Sequence, residues 1–159
     1  MPAQALLKRN PALTKEQFSE YWYNNHALCV VPMFLHCGVQ SYAQVHGPLH
    51  TNDPELSTTL SEWDGAAETE LTPLLLAALT DPSSVPKWIV EYHHHVMLQD
   101  ERQFLTSEAM QHLKQVGEGT VTGVRKVIIE NGKCVVEIPE SVWSVWREYE
   151  KKGNAEHKF

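Results

Sequence analysis

Cysteine is scarce in this 159-residue chain: there are three, Cys29, Cys37 and Cys134, far apart and odd in number. Their spacing excludes a disulfide framework, a structural zinc knuckle and a Cys-x-x-Cys redox pair. Ordinary free thiols of a reducing compartment remain, so a cytoplasmic location is expected. Basic residues are also in deficit, with 13 Lys and Arg against 20 Asp and Glu, a formal net charge of −7. No basic run offsets this, so nucleic acid is excluded as an expected partner. Met1 to Thr14 holds two basic residues and no long apolar segment, so neither a signal peptide nor a membrane anchor is expected, and no membrane partner. Gly-x-Gly-x-x-Gly, a phosphate loop and Gly-x-Ser-x-Gly are all missing, which argues against nucleotide cofactors and serine hydrolase chemistry.

What remains is a globular composition, 42% hydrophobic and 21% charged. The length fits one domain. We place it at residues 1–153, with a core at about 5–105, a C-terminal hairpin and helix at 119–152, and a frayed tail at 154–159.

The order of elements is legible in part. Ala3 to Lys8 reads as a short first strand, and Asn10 to Leu13 as a turn. Thr14-Lys15-Glu16-Gln17 is a capping box that opens a helix running into the twenties, with Phe18, Tyr21, Trp22 and Asn25 at helical spacing. A second apolar stretch, Ala27 to Cys37, is interrupted by Pro32. Val39 to His46 alternates with period two and reads as a strand stopped by Gly47-Pro48. On it Tyr42, Gln44 and His46 share a face. Residues 49–61 read as loop, and Ala66 to Leu71 as a weaker strand. Thr72-Pro73 starts another helix, which Asp81 to Ser84 ends. Residues 87–116 are ambiguous, with helix expected around 87–93 and 107–116. Val121–Glu130, Asn131-Gly132 and Lys133–Ile138 read as a hairpin on a type I′ turn. A last helix begins at Pro139-Glu140-Ser141, with Val142, Val145, Trp146 and Tyr149 as its apolar stripe, and Trp143 and Trp146 assigned to packing. The sum is an α+β fold of ferredoxin-like βαββαβ order with a C-terminal β-hairpin and helix. A sheet with helices on one face leaves the other to be covered, and a second copy of the chain is one solution.

Four stretches resemble a known family: Leu6 to Thr14, Phe18-Ser19-Glu20-Tyr21-Trp22 with His26-Ala27, Tyr42 to Pro48, and Trp63-Asp64-Gly65. Asp100-Glu101 followed by Phe104 adds a weaker echo. The chain resembles the EthD-domain proteins of the dimeric α/β-barrel superfamily over about residues 5–105. Within them it is most similar to fungal members of aromatic polyketide pathways, several of which are decarboxylases. The resemblance implies a homodimer, a small aromatic substrate, no cofactor and lyase chemistry. Related barrels act as dehydratases, cyclases or cofactor-free monooxygenases, and a non-catalytic small-molecule-binding protein stays open too, since fold alone does not choose.

The resemblance also implies that His26 faces the pocket, where an imidazole near neutral pH gives or takes a proton; the ordinary alternative is a histidine at a helix end. His46 is expected in a wet cavity beside Tyr42 and Gln44, or else on a solvent face. Asp64 would orient a histidine or bind a substrate hydroxyl, although Asp-Gly is also plain turn chemistry. His26, His46 and Asp64 are thus the catalytic candidates. Trp22, Trp63, Tyr92 and Phe104 could stack on a flat substrate, or simply be core. Tyr42, Gln44 and Asp100 complete the binding candidates. His93-His94-His95 lacks metal spacing, since adjacent helical residues point about 100° apart. No metal is expected, and the run is read as pocket rim or surface.

Overall fold

The computed structural model describes residues 2–156. Strand β1 (Gln4–Leu7) leads to helix α1 (Lys15–Tyr21). The capping box forms as expected: Thr14 Oγ1 accepts from the Gln17 amide at 3.1 Å and Gln17 Oε1 from the Thr14 amide at 2.9 Å. A π-helical turn, Trp22–His26, joins α1 to α2 (Ala27–His36), which runs straight through Pro32. Then come β2 (Tyr42–Thr51), the single turn α3 (Pro54–Ser57), β3 (Gly65–Thr69) and α4 (Pro73–Thr80). Helix α5 (Lys87–Tyr92), a second π-helical segment (His93–Leu98) and α6 (Gln99–Phe104) are continuous. The chain ends with α7 (Ala109–His112), β4 (Lys114–Val116), β5 (Val121–Glu130), β6 (Lys133–Cys134) and α8 (Glu140–Glu156).

All neighbouring strands are antiparallel, in the order β4-β1-β3-β2-β5-β6. The first four in that order make a ferredoxin-like sheet, its edge strand β4 standing where the sequence reads as helix, and the hairpin extends it beyond β2. Its turn has the two positive φ angles that Asn131-Gly132 requires, 52° and 73°.

Several boundaries differ from expectation. Strand β2 does not stop at Gly47-Pro48 but bulges there and continues to Thr51. Opposite the bulge Gly123 lies so close that a Cβ would stand 2.3 Å from the His46 carbonyl oxygen, leaving no room for a side chain. Residues 49–61 contain α3 and a 3₁₀ turn, Leu60–Glu62, rather than plain loop. The expected helix at 107–116 is a single turn followed by edge strand β4. Strand β6 covers two residues instead of six. Helix α8 passes Gly153, where a tail was expected, and continues to Glu156; residues 157–159 of that tail lie outside the described chain.

The helices cover one face of the sheet. Trp146 of α8 packs edge-on to Trp88 and Tyr92, with ring centroids 5.0 and 4.8 Å apart, which locks the terminal helix over α5. On the opposite face Leu6 and Ala66 are 0% exposed and Val45 2%. Leu49 near the end of β2, and Leu56, Leu60 and Trp63 from the β2–β3 connection, pack over them. Gln4 stitches this side shut. Its amide donates to the Val121 carbonyl and accepts from the Val121 amide, both at 2.8 Å, as a neighbouring strand would. The part of the outer face over Leu6, Val45 and Ala66 is therefore covered by the chain itself, while Arg125 on β5 stays exposed. Among the described residues no helix is long and apolar enough to cross a membrane.

Candidate active site

A cavity of about 390 Å³ lies between the sheet and the helices. Trp22, His26, Val30 and Phe34 recur every fourth residue along the α1–α2 helix and form one wall. His93, Met97, Glu101 and Phe104 of the α5–α6 helix form the facing wall. Ala5, Leu7, Tyr42, Ala67 and Thr69 make the floor, and Leu75, Leu76 and Leu79 of α4 close a side. Leu71, Leu76 and Met110, each 45% exposed or more, leave an apolar mouth. Both helical walls carry their π-helical turn here, with Trp22 and His26 on one and His93 and Met97 on the other. Such wide turns gather at functional sites because they free a carbonyl or re-aim a side chain. The Trp22 carbonyl accepts from both the Ala27 amide and, at 3.2 Å, Gln44 Nε2.

His26 is the polar centre of the wall. Its Nδ1 lies 2.8 Å from Asp100 Oδ2, and the Tyr21 hydroxyl donates to Asp100 Oδ1 at 2.6 Å. Cys29 Sγ stands 3.8 Å from both His26 Nδ1 and Asp100 Oδ2. With Nδ1 committed to Asp100, Nε2 is the ring nitrogen left for the cavity. Burial alone pushes the imidazole down, but Cys29, Asp100 and Glu101 outweigh it and lift the group to about 10. Burial likewise pushes Asp100 up, yet hydrogen bonds from His26 and Tyr21 hold it below its ordinary value. At neutral pH the pair is imidazolium and carboxylate, a preset proton donor at an apolar wall.

Facing it, His93 is 5% exposed and burial pushes it down to about 4, so it is neutral. Its Nδ1 is buried and has no hydrogen-bond partner among the described residues. Glu101 is raised by burial, and its Oε1 accepts the Ala109 amide at 3.0 Å, so it also caps α7.

The remaining candidates sort by position. Trp22, Tyr42 and Phe104 line the cavity with His26, while Asp100 reaches it only through His26. His46 and Gln44 do not line it. They share Tyr42's face, but the helix fills the space above them: the Trp22 ring lies 4.7 Å from the His46 ring. His46 contacts the Ser19 hydroxyl and, at 2.8 Å, Gln44 Oε1, and Gln44 Nε2 lies 2.9 Å from the Tyr42 hydroxyl. This is a satisfied buried chain, and burial pushes His46 down to about 4. Asp64 faces away from the cavity. It accepts the Arg9 amide at 3.0 Å and pairs with Arg9 Nε at 3.3 Å, pinning the end of β1 to the start of β3. Trp63 packs on the outer face with Lys8 Nζ 4.6 Å above its ring. Tyr92 donates to the Cys29 carbonyl at 2.6 Å and sits in the core under α8.

Sequence reasoning did not name Tyr21, Cys29 or Glu101 as site residues, and it read His93 with its two neighbours as pocket rim or surface. The His26–Cys29 spacing of three residues was one available signal, since it puts both side chains on one helical face. Of the histidine run only His93 is buried at the cavity, and His94 and His95 are exposed.

No curated protein and no solved structure matches the chain. Residues 10–71 match the family model of the EthD domain. That stretch supplies one helical wall, with Trp22 and His26, and most of the sheet floor; Asp100 and the facing wall lie beyond it. Over that stretch, residues 10–71, the chain is similar to the EthD domain.

Proposed function

We propose that the chain is a cofactor-independent lyase that decarboxylates a planar phenolic or polyketide acid. The observation that carries this reading is His26, cationic and fixed through Nδ1 to Asp100, at the wall of an apolar cavity. The cavity's size falls in the range of about 300–1,000 Å³ typical of small-molecule sites. A cation in such a wall favours an anionic substrate, and apolar walls favour its rings.

An ortho-hydroxy aryl acid can lose CO2 without a cofactor because its ring stores the electron pair. A proton passes from His26 Nε2 to the ring carbon bearing the carboxylate. The electrons of the new C–H bond come from the ring, and the charge left behind rests on the ortho oxygen. The C–C bond then breaks, its pair restores the aromatic ring, and CO2 leaves. His26 is left neutral and is recharged by solvent. Asp100 stabilises the imidazolium and fixes its tautomer, Tyr21 holds Asp100, and neutral His93 is placed to pair with a phenolic hydroxyl. Burial of the carboxylate among aliphatic side chains favours its loss as neutral CO2. A homodimer belongs to the same proposal.

The test is incubation of purified protein with hydroxylated aromatic acids, following CO2 and product mass. Loss of one carboxyl, abolished in His26→Gln and reduced about 100-fold or more in Asp100→Asn, is the expected result. Loss of water, uptake of oxygen, or binding without turnover would replace it with the dehydratase, oxygenase or carrier reading respectively.

A further inference from the structure

We infer that His26, Cys29 and Asp100 form a binding site for a divalent ion of the zinc class. The three donor atoms, Nδ1, Sγ and Oδ2, stand 2.8, 3.8 and 3.8 Å apart. Donors about 2.0–2.3 Å from one zinc ion at tetrahedral angles are about 3.3–3.6 Å apart. Each observed separation is within about half an ångström of that, a shift that one rotamer adjustment covers.

The donor set suits the ion. Sulfur and imidazole select zinc, cobalt or copper over magnesium and calcium, and one carboxylate completes a three-ligand face with a fourth position open. His26 and Cys29 come from one helical face and Asp100 from the helix opposite, so two rigid elements hold the site. The Tyr21 hydroxyl already holds the other Asp100 oxygen, as a second layer of contacts does around metal-bound carboxylates. Access is from outside, because the Asp100 side chain is 21% exposed while that of His26 is 10% exposed.

A bound ion needs its ligand atoms deprotonated, so binding at Nδ1 and Sγ releases protons to solvent. With Nδ1 bound to the ion, His26 Nε2 keeps its proton as a fixed hydrogen-bond donor and no longer delivers it. This off-switch rests on the acid role proposed above; the binding does not.

The test is titration of the reduced, chelator-washed chain with Co²⁺. The expected result is one ion per chain, a near-ultraviolet thiolate-to-cobalt band, intense visible tetrahedral bands, displacement by Zn²⁺ and release of protons on binding. Cys29→Ala should remove the thiolate band and Cys134→Ala should retain it. Tyr21→Phe should weaken binding about 10-fold. Absence of the band in the wild type, or its survival in Cys29→Ala with wild-type near-ultraviolet circular dichroism, overturns the site. If Cys29→Ala does not fold, Asp100→Asn decides: unchanged cobalt affinity overturns the site. Zn²⁺ that binds as expected yet leaves turnover untouched overturns the acid role of His26 and not the metal site.

Discussion

The Trp22 ring lies against Gly65 so closely that a Cβ on Gly65 would stand 2.5 Å from Trp22 Cζ3. Trp22 is 1% exposed and forms part of the cavity wall, so this one missing methyl sets where the wall stands. Gly65→Ala should cost about 1–3 kcal/mol by overpacking. Urea unfolding measures the loss, and a shift in tryptophan emission would report the displaced ring. An unchanged midpoint would show that the wall yields freely.

The His26–Asp100 pair has a pH signature. The folded-state value of His26, about 10, lies above the ordinary 6.5 of an imidazole. A raised value means stability that is complete below about pH 6.5 and lost as pH rises toward 10. Asp100 sets the other limit: its value is depressed, so its contribution fails as pH falls through that lowered value. Thermal midpoints of wild type and His26→Gln, compared at pH 7 and pH 10, check this. The wild type should lose its advantage over the variant across that interval.

His46 and His93 act in the opposite sense. Both are held near 4, below the ordinary 6.5, because burial disfavours their charged form. The unfolded chain takes up these protons first, so each contributes stability present above pH 6.5 and lost as pH falls toward 4. The slope is about 1.4 kcal/mol per pH unit for each histidine. Urea titrations from pH 7 to 4.5 should show this decline, shallower in His93→Gln. Equal slopes would mean that His93 is already solvated.

The hairpin protects a long edge. Without β5 and β6, the ten residues of β2 would present unpaired backbone along most of their length. Such an edge recruits other chains. A chain ending at residue 118 should therefore aggregate, and would also lose Ile128, Ile129 and Trp146 from the main core. Size-exclusion chromatography distinguishes this from a soluble truncated domain.

Features set by local backbone chemistry were legible in the sequence. The capping box at Thr14 and the Asn131-Gly132 turn need only neighbours in the chain, and both form. Strand β4 was not legible, because its three residues are defined by pairing with β1 at the far end of the chain. His26 was legible through the family resemblance, but its partner Asp100 comes from a helix 74 residues away. Period two correctly put Tyr42, Gln44 and His46 on one face. It carries no information on whether void or a tryptophan lies above that face, and Trp22 fills it over His46. Asp64 was read for its charge, but its geometry serves Arg9.

The stitch between Gln4 and the Val121 backbone has a thermodynamic corollary. It holds the strands over Leu6, Val45 and Ala66 within a single chain, so the apolar surface there is withdrawn from water without a second molecule. Mass action makes the melting point of an obligate oligomer rise with protein concentration. Here that apolar stretch adds nothing to the concentration dependence, so a melting point that falls on dilution would report association through some other surface.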